Sequence, residues 1–82
     1  EEFMIILVDT DQIHSLAVTQ RIVNNIKKFK FSLDGIDEKM TISAGKAEFP
    51  KDSDNIKVLI EKADKAMYKA KKLGGNNVVV CA

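Results

Sequence analysis

The sequence has no tryptophan, one cysteine, one proline and four glycines in 82 residues. A lone Cys81 cannot build a disulfide framework, so cysteine-stapled secreted scaffolds are excluded and a reducing, cytoplasmic setting is expected. The longest apolar run, Phe3 to Val8, is six residues, far short of the roughly 20 needed to span a bilayer. No basic stretch precedes it, so neither an export signal nor membrane contact by this segment is expected. Charge of one sign is also lacking. Lys and Arg total 13 against 12 Asp and Glu, for a net charge of +1, which excludes broad electrostatic capture of a nucleic acid polymer or an anionic membrane. A phosphate ligand would have to be held by a few placed groups. Hydrophobic content of 45% excludes a disordered chain. The length admits one small domain or part of one, with a thin core.

What is present reads as alternating strands and helices. Phe3 to Val8, ended by Asp9-Thr10-Asp11, has the unbroken apolar character of a strand covered on both faces. From Gln12 to about Phe29, Ile13, Leu16, Ala17, Val23 and Ile26 recur at helical spacing, with Thr10 or Asp11 as the cap and Lys27 and Lys28 at the C-terminal end of the dipole. Phe29 to Leu33 alternates apolar with polar before Asp34-Gly35, a two-residue hairpin signal, because both turn positions need positive φ. Met40 to Ala44 alternates as a further strand, and Gly45 marks a close backbone approach or a bulge. A second helix is capped by Ser53 or Asp54, carries Ile56, Leu59, Ile60, Ala63, Met67 and Ala70 on one stripe, and stops at Gly74-Gly75. Asn77 to Cys81 is the last strand. The order implies an α/β fold with helices packed on a sheet.

Several residues could carry chemistry. Glu1 and Glu2 at a strand edge could ligate a hard divalent cation through oxygen, or could be a solvated acidic end, since neighbouring strand residues point to opposite faces. Lys65, Lys69, Lys71 and Lys72 could pair with phosphate as point charges or form a solvated face that complements the helix dipole. The Gly74-Gly75-Asn76-Asn77 turn could offer backbone N–H groups to an anion, but it follows a helix C-terminus, the reverse of the usual phosphate site. His14 has no partner at metal-ligand spacing and reads as a surface or half-buried residue. Cys81 reads as a small hydrophobe, Tyr68 as a packing residue whose hydroxyl reaches water or backbone, and Asp64 as a structural residue bonded to backbone or a neighbour rather than a catalytic one.

Taken together, Glu1-Glu2-Phe3, Thr41-Ile42-Ser43-Ala44-Gly45 and the run Ala63 to Asn76 resemble the GGDEF domain of diguanylate cyclases in sequence, order and spacing. The last run matches the pattern A-D-x-A-[LM]-Y-x-A-K-x-x-G-R-N at each set position except the arginine, where Gly75 stands. The middle segment resembles V-T-x-S-I-G-V with Ala44 and Lys46 as departures. The resemblance implies that residues 1–82 are the C-terminal part of a single GGDEF domain, beginning inside the GG(D/E)EF signature. The fold it implies is α/β (α+β), the C-terminal half of a nucleotidyl-cyclase-like palm, running strand, helix, hairpin and strand, helix, strand.

By that resemblance the parent protein makes cyclic di-GMP from two GTP. Two protomers each hold one nucleotide, each 3′-hydroxyl attacks the other's α-phosphorus, and Mg2+ or Mn2+ neutralises the developing charge. Glu1 takes the metal-ligand position, Glu2 a supporting catalytic one, and Lys71 that of the lysine reaching the terminal phosphates. Asp64, Ala66 and Tyr68 match structural positions. The implied partners are GTP, the cyclic di-GMP product, a second copy of the parent domain, and fused sensory or receiver domains. Gly75 removes a phosphate-binding arginine, so a catalytically degenerate regulatory or GTP-binding module is the alternative. The fragment alone is expected to be inactive and poorly autonomous, since the resemblance implies an upstream strand between Phe3–Val8 and Met40–Ala44.

Overall fold

A computed structural model gives the structure and describes residues 2–81. Helix α1 spans Gln12–Lys28. Of its two capping candidates, Asp11 makes the cap, its Oδ1 accepting from the His14 backbone N–H at 2.8 Å, while the Thr10 hydroxyl donates to the Val8 carbonyl at 2.8 Å. Val23 and Ser15 are the buried positions of the helix, and Ile13, expected on the apolar stripe, is exposed.

Strands β1, Lys30–Leu33, and β2, Ile36–Lys39, form the expected hairpin, with Leu33 opposite Ile36 and Phe31 opposite Glu38. Asp34 at φ 53° and Gly35 at φ 79° supply the two left-handed residues that such a tight turn requires. The Phe29 and Phe31 rings meet at 4.7 Å, and all of β2 is exposed.

Strand β3, Ser43–Lys46, pairs in parallel with β4, Asn77–Val80, in the register Ser43 to Asn77 through Lys46 to Val80. The sequence expectation of a strand over Met40–Ala44 is therefore shifted. The alternation of Met40 and Ile42 suits a strand, but a strand exists only where its partner runs, and β4 begins opposite Ser43. Helix α2, Ile56–Lys72, is the crossover between these parallel strands. Its cap is Asn55, whose Oδ1 accepts from the N–H groups of Lys57 at 2.9 Å and Val58 at 3.2 Å. Ser53, one of the expected caps, instead accepts from the Asn55 N–H at 3.0 Å.

The C-terminal end of α2 is closed by two bonds, Gly75 N–H to the Ala70 carbonyl at 3.0 Å and Gly74 N–H to the Lys71 carbonyl at 3.1 Å. This is the double-bonded left-handed stop that glycine favours, with φ 113° at Gly74 and 74° at Gly75. On the sheet, Gly45 lies so close beneath α2 that a β-carbon there would overlap the backbone of Ala63 and Met67. The close approach read from the sequence at Gly45 is thus a helix-to-strand contact.

The expected first strand departs most from the structure. Phe3 to Leu7 forms no regular secondary structure and Val8 already lies in a turn, so the segment has no strand partner among the described residues, and its side chains are open to solvent, Phe3 at 90%. Apolar composition favours burial, yet backbone N–H and C=O groups form a ladder only with a neighbour alongside. The core is correspondingly thin. Val23, Ala66 and Ala70 are its buried apolar residues among those described, and both helices rest on β3 and β4.

Candidate functional site

The structure brings Glu2 and Lys71 together. Glu2 lies on the irregular segment ahead of α1, and Lys71 sits in the last turn of α2, on the flank away from Lys62, Lys65 and Lys69. The ammonium Nζ of Lys71 stands 3.9 Å from Glu2 Oε2, with side chains 52% and 60% exposed. An ion pair so exposed is worth at most about 1 kcal/mol. Either partner can therefore exchange its contact for a better one at little cost. Glu1, the other acidic candidate, lies outside the described residues.

The turn after α2 adds the second part of the site. A β-carbon on Gly75 would stand 3.2 Å from Ser43 Oγ, so the turn presses on the start of β3. Asn76 is left-handed at φ 56°, and the Oδ1 atoms of Asn76 and Asn77 are buried with no hydrogen-bond partner among the described residues. Sequence reasoning did not single out these two acceptors. The signal for Asn76 was its place directly after two glycines, where a left-handed residue is common. Tyr68 is exposed, and Lys72 Nζ lies 5.0 Å from its ring centroid, a cation–π contact on the solvent face of α2. The Asp64 side chain is exposed and makes no hydrogen bond or ion pair among the described residues, so the side-chain bonding expected of it is not seen.

Groups with displaced titration sit away from this pair. Asp11 is held below the usual carboxylate range, chiefly by the His14 N–H and then by the His14 ring, whose Nδ1 is 2.7 Å from Oδ1. The backbone N–H of Glu48, donated to Asp52 Oδ2 at 2.7 Å, lowers Asp52. Burial, followed by the hydrogen bond with Asp52, pushes the Cys81 thiol up. Asp11 is thus a helix cap, Asp52 clasps the Glu48 loop, and Cys81 is held towards its protonated form. A concavity of about 650 Å³ on the hairpin face is lined by Phe29, Phe31, Leu33 and Met40, among others, and includes neither Glu2 nor Lys71.

No cluster of three or more His, Cys, Asp or Glu side chains occurs among the described residues. A single carboxylate beside a lysine does not satisfy the six oxygen ligands of Mg2+. The described residues therefore do not by themselves fit a divalent ion. Of Glu2 and Lys71, the lysine is the group able to pair with a phosphate, as an exposed point charge that can leave Glu2. None of the described helices is long and apolar enough to cross a membrane.

Comparison with known proteins follows the same geography. Residues 1–77 match the family described as diguanylate cyclase, GGDEF domain. Diguanylate cyclase A of Treponema denticola is 34% identical over 80 residues, covering 98% of this chain and 22% of that protein. Probable diguanylate cyclase DgcT of Escherichia coli is 34% identical over 82 residues, covering 98% of this chain and 18% of that protein. The chain thus spans about a fifth of the length of these curated relatives.

Proposed function

Because the chain belongs to the GGDEF domain family of diguanylate cyclases, we propose that it is part of a diguanylate cyclase domain whose parent protein condenses two GTP into cyclic di-GMP. The supporting observation is the meeting of Glu2 and Lys71 at 3.9 Å, the two described residues to which the resemblance assigns catalytic and phosphate-binding roles. In this reaction a 3′-hydroxyl oxygen bonds to the α-phosphorus of the facing nucleotide, the bond from that phosphorus to the β-phosphate oxygen breaks, and pyrophosphate leaves while the hydroxyl loses its proton. Lys71 releases the Glu2 carboxylate and pairs with the terminal phosphates, placing positive charge where pyrophosphate gains negative charge. Glu2, freed of Lys71, is left to orient the nucleotide or support its counter-ion. Mg2+ or Mn2+ belongs to this reading through Glu1, to which the resemblance assigns the metal-ligand position, and would supply charge neutralisation at the reacting phosphate.

The reading includes a homodimer of the parent domain, since each nucleotide supplies the nucleophile for the other, and a cytoplasmic setting where GTP is present. The roughly four-fifths of the relatives that this chain does not cover leaves room for the rest of the GGDEF domain and for fused sensory or receiver domains. Gly75 favours a second reading, a GTP-binding module without turnover, because a charge-assisted phosphate contact worth about 1.5 to 3 kcal/mol has been lost with the arginine.

Incubation of the full-length protein with GTP and Mg2+, followed by mass spectrometry, tests the proposal. Cyclic di-GMP is the expected product, and a folded, dimeric protein that makes none removes the catalytic claim. Calorimetric titration with a non-hydrolysable GTP analogue then separates binding without turnover from no binding.

A further inference from the structure

The flank of α2 opposite Lys71 carries a different surface. A groove of about 220 Å³ runs between α2 and β4, lined by Lys62, Lys65, Lys69 and Ala66 on the helix and by Val79, Val80 and Cys81 on the strand. No acidic side chain and no residue of α1 lines it. Lys62 is partly engaged, its Nζ donating to the Asp52 carbonyl at 2.6 Å, whereas Lys65 and Lys69 are exposed and form no ion pair among the described residues. Their charge faces a trough whose floor is valine.

The strand side of the groove is an open sheet edge. Within the described residues β4 pairs with β3 alone. The Cys81 N–H donates to the Lys46 carbonyl at 2.9 Å, so Cys81 directs its backbone groups towards β3. Val80, one residue earlier, therefore directs its N–H and C=O outward, as does Val78, because successive strand residues alternate sides. Lys65 and Lys69 are separated by one helical turn, about 6 Å along the axis, close to the roughly 6.7 Å between alternate residues of a strand.

From this match we propose that the groove is a docking site for an extended acidic segment of a protein partner. The segment adds as a strand to the outer edge of β4, hydrogen-bonding Val78 and Val80. Two of its carboxylates, two residues apart, meet Lys65 and Lys69. Main-chain pairing gives such a contact its grip, and the lysine row selects acidic over neutral or basic sequences.

The test uses the full-length protein and a short fluorescein-labelled peptide alternating valine with glutamate, followed by fluorescence anisotropy at physiological salt. The glutamate peptide binds, and its glutamine counterpart binds at least about tenfold more weakly. The Lys65→Gln/Lys69→Gln double variant loses affinity to the same extent. Val80→Pro removes the outward N–H without touching the bonds to β3 and abolishes binding. Amide exchange at Val78 and Val80 slows when peptide is added to the unsubstituted protein, a readout that does not depend on any variant folding. Absence of binding, equal binding of the glutamine peptide, indifference to the lysine changes, or unchanged exchange at Val80 each overturns the proposal. So does displacement by a single-stranded oligonucleotide of a peptide whose binding survives Val80→Pro, which would make the groove a general polyanion surface.

Discussion

Lys71 Nζ lies 3.9 Å from Glu2 Oε2, so the last turn of α2 and the segment ahead of α1 meet through one ion pair. The pair joins the two ends of the sequence motif at one edge of the molecule. Its exposure makes it a contact that a phosphate can displace.

Replacing Lys71 with Met should weaken binding of a GTP analogue to the full-length protein about 10- to 150-fold, the equivalent of one charged hydrogen-bonding contact of about 1.5 to 3 kcal/mol. In the absence of nucleotide, a double-mutant cycle with Glu2→Gln should give a coupling below about 1 kcal/mol that fades in high salt. Titration calorimetry and chemical denaturation measure the two quantities separately.

Gly45→Ala should be far more damaging than its single added carbon suggests. The new β-carbon meets helix backbone at Ala63 and Met67, which cannot turn aside as a side-chain end would. A loss of about 3 kcal/mol or more is expected, at the upper end of overpacking costs. Thermal unfolding of the parent domain would show it, and a change under about 1 kcal/mol would mean that α2 can lift off β3 freely.

Gly75→Arg restores the charge that the family pattern carries but puts a side chain at φ 74° and 3.2 Å from Ser43 Oγ. Stability should fall by about 1 to 2 kcal/mol from the left-handed backbone. Affinity for the GTP analogue should rise about tenfold or more through the new phosphate contact. Opposite movements of melting temperature and affinity in one variant are the expected result.

Asp52 gives a pH dependence whose sign follows from its contacts. The Glu48 N–H, and the Lys51 and Lys62 charges, hold the carboxyl below its ordinary value of 3.8. The ionised form therefore contributes stability that is present above pH 3.8 and is lost as the pH falls through the depressed folded value. Asp52→Asn should make acid unfolding shallower in that window. It should also speed alkylation of Cys81, whose thiol is raised first by burial and then by this carboxylate.

Local elements were legible in the sequence wherever the signal was a local one. The Asp34-Gly35 turn needs two left-handed residues, the Gly74-Gly75 stop needs positive φ, and both helices follow from spacing and caps. Asn55 was missed as the cap of α2 because Ser53, Asp54 and Asn55 are all competent acceptors, and only the entry angle of the chain chooses among them. The run from Ala63 to Asn76 was the most specific of the three segments that together carried the family resemblance.

Strand limits and the site were decided elsewhere. Phe3–Val8 and Met40–Ile42 have strand composition, but pairing depends on a neighbour, and β3 takes its bounds from β4. The meeting of Glu2 with Lys71 and the lysine row beside the open edge of β4 are likewise products of packing. By itself the sequence determined helices, turns and family, because those rest on local stereochemistry and residue spacing. Only the tertiary structure decided which strands exist and which charges face one another, because both are relations between segments remote in the chain.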